Sequence, residues 1–395
     1  MAEPKVRFKQ KDGSSYPTWI DYSIADLFDK VGKKNKNCQN TNVITNSAEF
    51  GLIPQRDYFD KDIAVEGKTD NYTIIQKGDF VYNPRKSSYA PMGPFNCYRL
   101  DEDGIVSPLY SCLRPKGVLN SEYLLWYFQT DKWYGYVNDH GAQNGARHDR
   151  VGMTEKILMG IPVSAPCLEE QQRIADFLST VDEVISASDT EVQNLETLKK
   201  AVMKKIFSQE VRFKRADGSD FPEWEEKHLD EVVEFLDGMR KPIETGDRVA
   251  GPYPYYGASG ITDYVEGYIF DEDLILLSED GANILDRNYR VCFMARGKYW
   301  VNNHAHVLRA NTDCVNEYIC EYLESLDYSR MNSGSAQPKL NQQTCRKIPV
   351  KKPCLEEQRL IADFLSDFDE AIAAAKRELE LWKELKKGLL QQMFV

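Results

Sequence analysis

The stretches Pro166-Cys-Leu-Glu-Glu-Gln171 and Ile174-Ala-Asp-Phe-Leu-Ser179 decide the fold, because both occur a second time in the chain. They return as Pro353-Cys-Leu-Glu-Glu-Gln358 and Ile361-Ala-Asp-Phe-Leu-Ser366, at an offset of 353 − 166 = 187 residues. The match continues without a gap as far as Phe207. The repeat predicts two equivalent structural frames in one chain.

A second repeated block opens each half. Val6-Arg-Phe-Lys9, followed by Asp12-Gly-Ser14, returns as Val211-Arg-Phe-Lys214, followed by Asp217-Gly-Ser219, at an offset of 211 − 6 = 205. The segments between the repeated blocks show little resemblance and differ in length by 205 − 187 = 18 residues. Repeated frames around unlike inserts present two different surfaces in equivalent positions.

Size and composition limit the class of protein. A chain of 395 residues predicts two domains of ordinary size. It has no run of 18 apolar residues, and Met1-Ala-Glu-Pro-Lys5 lacks the apolar core of a signal peptide. The nine cysteines are scattered without a Cys-x-x-Cys pair, which favours reduced thiols over a disulfide framework or a zinc site. We therefore expect a soluble cytoplasmic protein.

The net charge of −12 argues, taken alone, against a nucleic-acid binder. Residues 155–210 carry ten acids against six bases, mostly on predicted helix surface. Because the inserts contain many cations that can form local basic faces, the charge weakens a DNA-binding interpretation without excluding it.

Beyond Pro166 and Pro353, apolar residues recur at spacings of three and four, interrupted in each copy by a lysine, Lys199 or Lys386. A repeat of this kind over about four heptads forms the narrow seam typical of a coiled coil. The alternative, in which each helix packs only on its own domain, would leave that stripe half exposed. We therefore expect the two seams to pair. They consist of Val181, Ile185, Ser188, Val192, Leu195, Val202 and Ile206, and of Phe368, Ile372, Ala375, Leu379, Trp382, Leu389 and Met393.

The inserts read as mixed α/β. Short β-rich runs at 72–75, 79–82 and 274–277 are separated by turns, and amphipathic helices are predicted at 119–133 and 315–326, late in each insert. The predicted fold class is α+β, with two mixed α/β domains separated by two long antiparallel helices that form a coiled coil with a pseudo-two-fold internal repeat. The predicted domains are 1–160, a helical spacer at 161–208, 209–347, and a second helical spacer at 348–395.

Catalytic motifs are nearly absent. Gly67-Lys-Thr69 lacks the upstream glycine of a phosphate-binding loop, and no Gly-x-Gly-x-x-Gly follows a strand pattern. Asn83-Pro-Arg85 has arginine where the Asn-Pro-Pro-aromatic element of adenine methyltransferases has its second proline, so we interpret Asn83 as a turn residue. His304-Ala-His306 could be half of a metal site, but hydrogen bonding on a sheet or base reading is favoured without nearby Cys or His. The residues predict no active site.

Three polar loops, two of which contain glycine, carry side chains that suit DNA. Arg and Lys match guanine, Asn and Gln match adenine, and Ser with backbone amides binds phosphate. An ordinary surface turn is the alternative for any one loop, but two of the three precede a repeated block. The loops are Asn83-Pro-Arg-Lys-Ser-Ser-Tyr89, Gly141-Ala-Gln-Asn-Gly-Ala-Arg-His148 and Asn332-Ser-Gly-Ser-Ala-Gln-Pro-Lys339.

The repeated Pro-x-Leu-Glu-Glu-Gln and Ile-Ala-Asp-Phe-Leu elements, ending in Lys-Lys and a terminal aromatic, resemble the specificity subunit of type I restriction–modification systems. Gly78-Asp-Phe-Val81 with Val106-Ser-Pro-Leu-Tyr110 resembles one type of target recognition domain in that family. Leu277-Ser-Glu-Asp-Gly-Ala-Asn283 with Asn302-Asn-His-Ala-His-Val307 resembles a second type, and Gly334-Ser-Ala-Gln-Pro338 matches the closing element. The resemblance covers essentially the whole chain.

The first insert departs from the family pattern, since Gly141-Ala-Gln-Asn-Gly-Ala-Arg147 replaces the usual Gly-Ser-x-Gln-Pro. The resemblance implies a non-catalytic subunit whose two target recognition domains read a bipartite, asymmetric double-stranded DNA site. It also implies two methyltransferase subunits and, for restriction, restriction/translocase subunits as partners, with no membrane contact. No cofactor is expected in this chain, because S-adenosylmethionine, ATP and Mg²⁺ belong to the partners. The implied setting is phage defence in the cytoplasm of a bacterium or archaeon, associated with the nucleoid in the complex.

Candidate residues follow from the loops and the repeated blocks. Two other functions stay open: a protein-interaction scaffold that reads no DNA, and a nuclease or methyltransferase with degenerate motifs. The candidates for DNA contact are Arg85, Lys86, Ser87, Asn144, Arg147, Arg150, Asn283, Arg287, Arg290, His304, His306, Gln337 and Lys339. The candidates for subunit binding, on the exposed faces of the helices, are Leu168, Glu169, Glu170, Gln171, Phe177, Leu355, Glu356, Glu357, Gln358 and Phe364.

Overall fold

The structure is a computed structural model that describes residues 3–58, 68–141, 149–334 and 337–395. The chain divides into two compact units. Unit 1 comprises Met1–Ala187 and Glu378–Val395, and unit 2 comprises Ser188–Arg377. Each unit therefore contains one insert and a part of both long helices. The domain boundaries predicted above, which give each long helix to a spacer of its own, stay a prediction.

Unit 1 is built on a four-stranded antiparallel sheet in the order β2-β9-β6-β7, with the two-stranded pairs β1-β10, β3-β4 and β5-β8 around it. Its strands are β1 (Ile20–Ser23), β2 (Phe28–Lys30), β3 (Ile44–Ser47), β4 (Gly51–Pro54), β5 (Thr73–Ile75), β6 (Phe80–Tyr82), β7 (Phe95–Cys97), β8 (Gly104–Val106), β9 (Ser111–Pro115) and β10 (Pro162–Ala165). Its helices are α1 (Ile24–Leu27), α2 (Gln55–Tyr58), α3 (Ser121–Phe128), α4 (Tyr134–His140) and α5 (Glu155–Met159), followed by the start of α6 (Leu168–Phe207).

Unit 2 repeats this plan and adds a second sheet. The order β12-β19-β16-β17 corresponds to the main sheet of unit 1, and β11-β20 corresponds to β1-β10, whereas the sheet β14-β13-β18-β15 has no counterpart among the described sheets of unit 1. The strands are β11 (Glu225–His228), β12 (Val233–Phe235), β13 (Ala250–Gly257), β14 (Gly260–Val265), β15 (Phe270–Asp271), β16 (Leu274–Ser278), β17 (Cys292–Ala295), β18 (Lys298–Val301), β19 (Ala305–Ala310) and β20 (Pro349–Lys352). The helices are α7 (Leu229–Val232), α8 (Asn283–Asp286), α9 (Asn316–Glu324), α10 (Gln342–Arg346) and α11 (Leu355–Met393).

The mixed α+β class and the shared plan of the inserts are confirmed. The β-rich runs are strands β5, β6 and β16. The amphipathic helix predicted at 119–133 is shorter than expected, because α3 ends at Phe128. A turn in which Thr130 donates back to the Tyr127 carbonyl at 2.7 Å then separates it from α4.

The end of each long helix lies in a core that contains the insert of the other half. In unit 1, Met393 and Phe394 belong to the main core, and the Phe394 ring lies 5.3 Å from that of Tyr123. In unit 2, Phe207 occupies the matching place, 5.3 Å from the ring of Tyr322. Because large aromatic side chains contribute much of the burial energy of a core, these ends are firmly anchored.

The two long helices pair antiparallel within each unit, as the sequence predicted. In unit 2, Lys199 lies 2.7 Å from Asp369 and Lys376 lies 2.6 Å from Glu196. In unit 1, Lys386 pairs with Asp182. All seam positions, including both lysines, are buried or half-buried. The narrow apolar stripe therefore has the partner it needs.

The second Glu and the Gln of each repeated Glu-Glu-Gln element are buried and hold the insert against its long helix through hydrogen bonds. The fully buried carboxylate of Glu170 accepts two hydrogen bonds from Arg7, at 2.9 and 3.0 Å. The buried Gln171 accepts the backbone N–H of Asn120 at 2.8 Å and donates to the Pro166 carbonyl at 2.7 Å. Asn120 is the N-cap of α3, so one element holds the N-terminal segment and the insert helix together.

The second copy repeats these contacts and adds a hydrogen bond from Trp224. Glu357 accepts from Arg212 at 3.0 Å and from the Trp224 indole at 2.9 Å, and Gln358 accepts the Val315 N–H at 2.9 Å. Each copy of the Glu-Glu-Gln element therefore anchors the segment before its insert, and the insert helix, to a long helix.

Replacing Glu357 by Gln is expected to lower the free energy of unfolding by about 3–5 kcal/mol, because Arg212 loses the charge opposite it at a buried site. The matched control is Glu356→Gln, since Glu356 is exposed, and its effect should stay within about 0.5 kcal/mol. Urea denaturation of both variants measures the difference. Equal losses in the two variants would contradict the anchoring role.

Candidate nucleic-acid interface

In unit 1, residues 84–86 lie alongside 149–151 in a short antiparallel pairing. Lys86 N–H donates to the Asp149 carbonyl at 2.9 Å, and Val151 N–H donates to the Pro84 carbonyl at 2.8 Å. Arg85 lies directly opposite Arg150. Because paired residues of antiparallel strands project from the same face, the two arginines share one surface.

These cations are available for a ligand. Arg85, Lys86 and Ser87 are exposed, Arg150 is half-buried, and none of the three cations has an ion-pair partner within the described ranges. Tyr89, which is 71% exposed, extends the same loop. Asn144 and Arg147 lie outside the described residues, so their predicted contacts stay a prediction.

A buried amide network supports this loop from below. Asn83 donates to the Asn46 carbonyl at 3.1 Å and accepts the Arg85 N–H at 3.0 Å, which confirms it as a turn residue. Asn96 donates to the Asn46 side chain at 2.7 Å. Gly93 packs against the backbone of Asn83. A Cβ at position 93 would lie 2.1 Å from the Asn83 carbonyl oxygen, so only glycine fits there. No sequence motif marks this network, because its members are separated by strands.

In unit 2, the three segments quoted for the second recognition-domain type come together beside the main sheet. Glu279 N–H donates to the His304 carbonyl at 2.9 Å, Gly281 N–H to the Pro338 carbonyl at 3.0 Å, and Leu340 N–H to the Glu279 carbonyl at 2.7 Å. Residues 279–281, 302–306 and 337–340 therefore form a single loop cluster, which we call the unit 2 loop cluster.

A buried imidazolium lies at the centre of the unit 2 loop cluster. His306 is 1% exposed, with Nδ1 at 2.7 Å from an Asp237 carboxylate oxygen and Nε2 at 2.8 Å from the Leu340 carbonyl oxygen. Because both neighbours only accept, both ring nitrogens donate, and the ring is charged. Burial lowers the pKa of His306, but the hydrogen bond to Asp237, the neighbouring Cys345 and the negative charge of Asp237 together outweigh burial and raise that pKa to about 10.

Acidic residues around the ring stay ionised. Burial raises the pKa of Asp237, yet His306 and the Val307 N–H lower it below its usual value overall. Glu279 follows the same pattern, with burial opposed chiefly by its hydrogen bond to Arg240 at 2.8 Å. Arg240 also donates to the Ala305 carbonyl at 2.7 Å. Sequence reasoning missed Asp237 and Arg240, which lie far from the quoted motifs along the chain.

Four candidates for DNA contact in unit 2 have partners inside the chain, and their contact with DNA stays a prediction. Arg290 binds Glu321 and Asp369, and Arg287 binds Glu324 at 3.0 Å. The Asn283 side chain accepts the Tyr289 N–H at 2.8 Å and donates to the Tyr289 carbonyl at 3.1 Å. His306 is buried, with its ring bound to Asp237 and the Leu340 carbonyl. The partners of Arg287, Arg290 and His306 come from distant segments, so no local sequence pattern indicates them.

Three candidates remain at the surface of the unit 2 loop cluster. Gln337 is exposed, and His304 is half exposed with Nδ1 2.9 Å from Asp280. Lys339 lies 3.3 Å from Glu279 and is also about half exposed. Whether they contact DNA stays a prediction.

The candidate subunit-binding residues divide into two groups. Glu170, Gln171, Glu357 and Gln358 are buried, so the expectation that they lie on an exposed helix face is wrong, because they anchor the inserts. Leu168, Glu169, Phe177, Glu356 and Phe364 are exposed and Leu355 is half-buried. These six retain the surface that a partner would need.

The described residues contain no group of three or more His, Cys, Asp or Glu side chains arranged to hold a metal ion. Within the same ranges, no helix is both long and apolar enough to cross a bilayer.

Comparison with known proteins places both halves in one family. The family model described as "Type I restriction modification DNA specificity domain" matches residues 17–197 and 222–381. A putative type I restriction enzyme specificity subunit of Haemophilus influenzae is 38% identical over 152 residues, which is 38% of this chain and 38% of that protein. The type I restriction enzyme MjaVIII specificity subunit of Methanocaldococcus jannaschii is 26% identical over 320 residues, 74% of this chain and 73% of that one.

Solved structures agree on the fold. The crystal structure of the type I restriction–modification S subunit from M. genitalium has a TM-score of 0.58 and 18% identity, and covers 100% of this chain and 99% of that chain. A chain from a structural study of complex assembly and conformational transition of the type I restriction–modification system also has a TM-score of 0.58, at 16% identity, covering 96% of this chain and 98% of that one.

The charge on His306 predicts a pH-dependent stability. Its pKa is about 10 when folded against 6.5 for an unperturbed ring, so its stabilising effect is complete below about pH 6.5 and is lost as the pH rises through about 10. The free energy of unfolding of the wild type should therefore exceed that of His306→Gln by an amount on the order of a few kcal/mol at low pH, and this excess should shrink towards pH 10.

Denaturation of both proteins across this pH range measures the excess. His304→Gln is the matched control, because its ring is half exposed, and it should differ little from wild type throughout. A difference between wild type and His306→Gln that does not change with pH would refute the buried imidazolium.

Proposed function

Because this chain belongs to the type I restriction modification DNA specificity family, we propose that it is the non-catalytic subunit that reads DNA sequence for a type I restriction–modification complex. The observation that carries the proposal is the pair of equivalent frames that hold unlike polar loop surfaces. Equivalent frames suit two half-sites on one duplex, and unlike loops suit two different half-site sequences. The target is therefore a bipartite and asymmetric double-stranded DNA site.

In the first half, the surface formed by Arg85, Lys86 and Arg150 supports DNA binding. Their guanidinium and ammonium groups form no ion pair with the residues that the structure describes, so they can bind phosphates or guanine edges. The exposed Tyr89 beside them adds apolar contact area. Arg85 and Arg150 lie opposite one another, so the pair can bind two adjacent acceptors, and we assign them base contact.

In the second half, the unit 2 loop cluster supports base reading. His304 and Gln337 carry hydrogen-bonding groups at its surface, and Lys339 carries a charge. The buried His306, Asp237 and Arg240 hold the loops in place. A reading surface on rigid support loses less entropy on binding, which favours specificity.

The surrounding complex supplies the chemistry and much of the charge. The matched curated relatives are specificity subunits, and the chain spans only 38% of the length of the Haemophilus influenzae protein. We assign S-adenosylmethionine to two methyltransferase partners, and ATP and Mg²⁺ to restriction subunits. With a net charge of −12, this chain would depend on those partners to neutralise phosphates. The setting that follows is phage defence in the cytoplasm, at the nucleoid.

A matched pair of exposed surfaces supports methyltransferase docking. Phe177 is exposed on α6 and packs edge-on against Phe8 at 5.7 Å, and Phe364 is exposed on α11 and packs against Phe213 at 5.5 Å. Leu168 is exposed at the start of α6. Two equivalent apolar surfaces suit two copies of one partner.

Two other functions make opposite predictions. A degenerate nuclease or methyltransferase would be active as the purified chain with Mg²⁺ or S-adenosylmethionine. A scaffold without DNA reading would leave the methylated sequence independent of the inserts. The exchange experiment below separates these from the proposal.

Exchanging residues 229–347 for the corresponding insert of a relative is expected to change one half of the methylated target and leave the other half intact. The physical reason is that each insert carries its own loops on a frame that the exchange preserves. Methylome sequencing of cells that carry the chimera with its methyltransferase measures the outcome. An unchanged target would favour the scaffold, and changes in both halves would contradict independent reading.

Lys86→Ala is expected to weaken binding to all DNA sequences alike and to reduce the slope of log affinity against log salt by about 1, as for a phosphate contact. Gln337→Ala is expected to cost about 1–3 kcal/mol of discrimination at one base pair. Salt titrations of the complex with methyltransferase on cognate and altered duplexes measure both effects.

The matched control is Lys77→Ala, because Lys77 is an exposed lysine of the same insert that pairs with Asp101 at 2.6 Å. This variant should keep the wild-type salt slope. A change in slope for Lys77→Ala equal to that for Lys86→Ala would remove the assignment of Lys86 to DNA.

A further inference from the structure

The lysines that interrupt the two apolar seams have no role in the function proposed so far. Lys199 and Lys386 occupy positions where the repeat calls for an apolar residue, and 386 − 199 = 187, the offset of the helical repeat. A charged side chain at a seam position costs stability, and its best-attested use is to specify register. The structure shows what each lysine contacts.

In unit 2, Lys199 joins three helices. Its side chain is only 7% exposed, and its Nζ lies 2.7 Å from Asp369 on α11 and 2.9 Å from Glu321 on the insert helix α9. Arg290 binds the same two carboxylates. The lysine therefore connects α6, on which it lies, to both the partner helix and the insert.

In unit 1, Lys386 joins the equivalent three helices. It pairs with Asp182 on α6, and its Nζ lies 4.9 Å from the ring centroid of Trp126 on the insert helix α3. Its side chain is 25% exposed. A cation over an indole face is attracted by the ring, so Trp126 substitutes for the carboxylate of Glu321.

The two junctions are related by the repeat. Asp369 and Asp182 differ by 369 − 182 = 187, so each lysine binds the aspartate of the other helix at the same repeat position. Trp126 lies six residues after Asn120, and Glu321 lies six residues after Val315, the residues whose N–H groups bind Gln171 and Gln358 (126 − 120 = 6; 321 − 315 = 6). The contact is thus made twice, with one partner changed.

These pairs disfavour a slide of the helices by one heptad. In an antiparallel helix pair, residues that face each other have residue numbers with a constant sum, and this sum defines the register. Both native pairs have the same sum, since 199 + 369 = 568 and 182 + 386 = 568. A seven-residue slide keeps the apolar seam in phase, so the seam itself discriminates weakly. With a sum of 568 − 7 = 561 the two lysines would face alanines, at positions 362 and 175.

The opposite slide is disfavoured by charge. With a sum of 568 + 7 = 575, Lys199 would face Lys376, and only Lys386 would face an acid, Asp189. Both slides also withdraw the lysines from Glu321 and Trp126. Each alternative register therefore leaves at least one buried or half-buried cation without its carboxylate, which is strongly destabilising.

We propose that Lys199 and Lys386 are matched positioning residues that lock the two long helices, and the insert helix of each unit, in a single register. The lock acts together with the aromatic anchors at Phe207 and Phe394, which hold the helix ends. One test of the proposal rests on the function proposed above, because a change of register is expected to alter the half-site separation that the complex accepts.

The test replaces both lysines by Met in the full chain, with a photoreactive p-benzoylphenylalanine in place of Glu196 in every variant. Glu196 flanks the seam 2.6 Å from Lys376, so wild-type cross-links should map around position 376 of α11. The variant Lys199→Met/Lys386→Met should show at least about a tenfold rise in cross-links displaced by seven residues. An unchanged cross-link map overturns the proposal.

The matched control is Lys383→Met, because Lys383 pairs with Glu380 of its own helix at 2.9 Å and cannot report register. This control should keep the wild-type map. If the double variant fails to fold, Asp182→Lys serves instead, because this substitution places a second positive charge opposite Lys386 in unit 1. Adding Lys386→Asp to it should restore the wild-type map, and failure to restore it overturns the proposal.

A second measurement uses the complex with methyltransferase and a series of targets whose half-site separation changes in single base pairs. The lysine variant should methylate targets of altered separation that wild type and Lys383→Met reject. Methylation confined to the wild-type separation overturns the link between register and spacing. Because cross-linking needs no DNA, a chain that reads no DNA at all would fail the proposed function while the cross-links still report on the register.

Discussion

The antiparallel pairing of α6 and α11 underlies the packing of both units. Neither helix could bury a narrow apolar stripe alone, and each ends in an aromatic side chain that completes a core. Phe394 fills the core of unit 1 and Phe207 that of unit 2. Because every unit needs an end of each helix, neither half of the repeat is independent of the other.

The buried Glu-Glu-Gln elements transmit this pairing to the inserts. Glu170 and Glu357 are buried carboxylates, and removing a carboxylate from water costs free energy. Charge-assisted hydrogen bonds from Arg7 and Arg212 offset that desolvation cost. Gln171 and Gln358 then fix the start of an insert helix. The frame can therefore be identical in both halves while the loops beyond it differ.

Cations in this chain serve two purposes that the amino-acid type alone does not distinguish. Arg287 and Arg290 form ion pairs with carboxylates of unit 2, whereas Arg85 and Lys86 lie exposed in unit 1. The second half instead offers hydrogen-bonding groups on loops held by a buried imidazolium. Unlike surfaces on like frames are what reading two different half-sites requires.

The duplicated frame, the paired helices and the mixed α/β inserts could be predicted before folding was considered, because they follow from local periodicity and from a repeat visible in the chain. Motifs that recur at a fixed offset also identified the family. Which residues are available to a ligand became clear only from the folded chain. Glu170, Gln358 and His306 look like surface groups in the sequence but are buried, and Arg290 is paired inside unit 2, because their partners come from segments tens of residues or more away. Burial and pairing of polar groups are set by such long-range contacts, which no local pattern records.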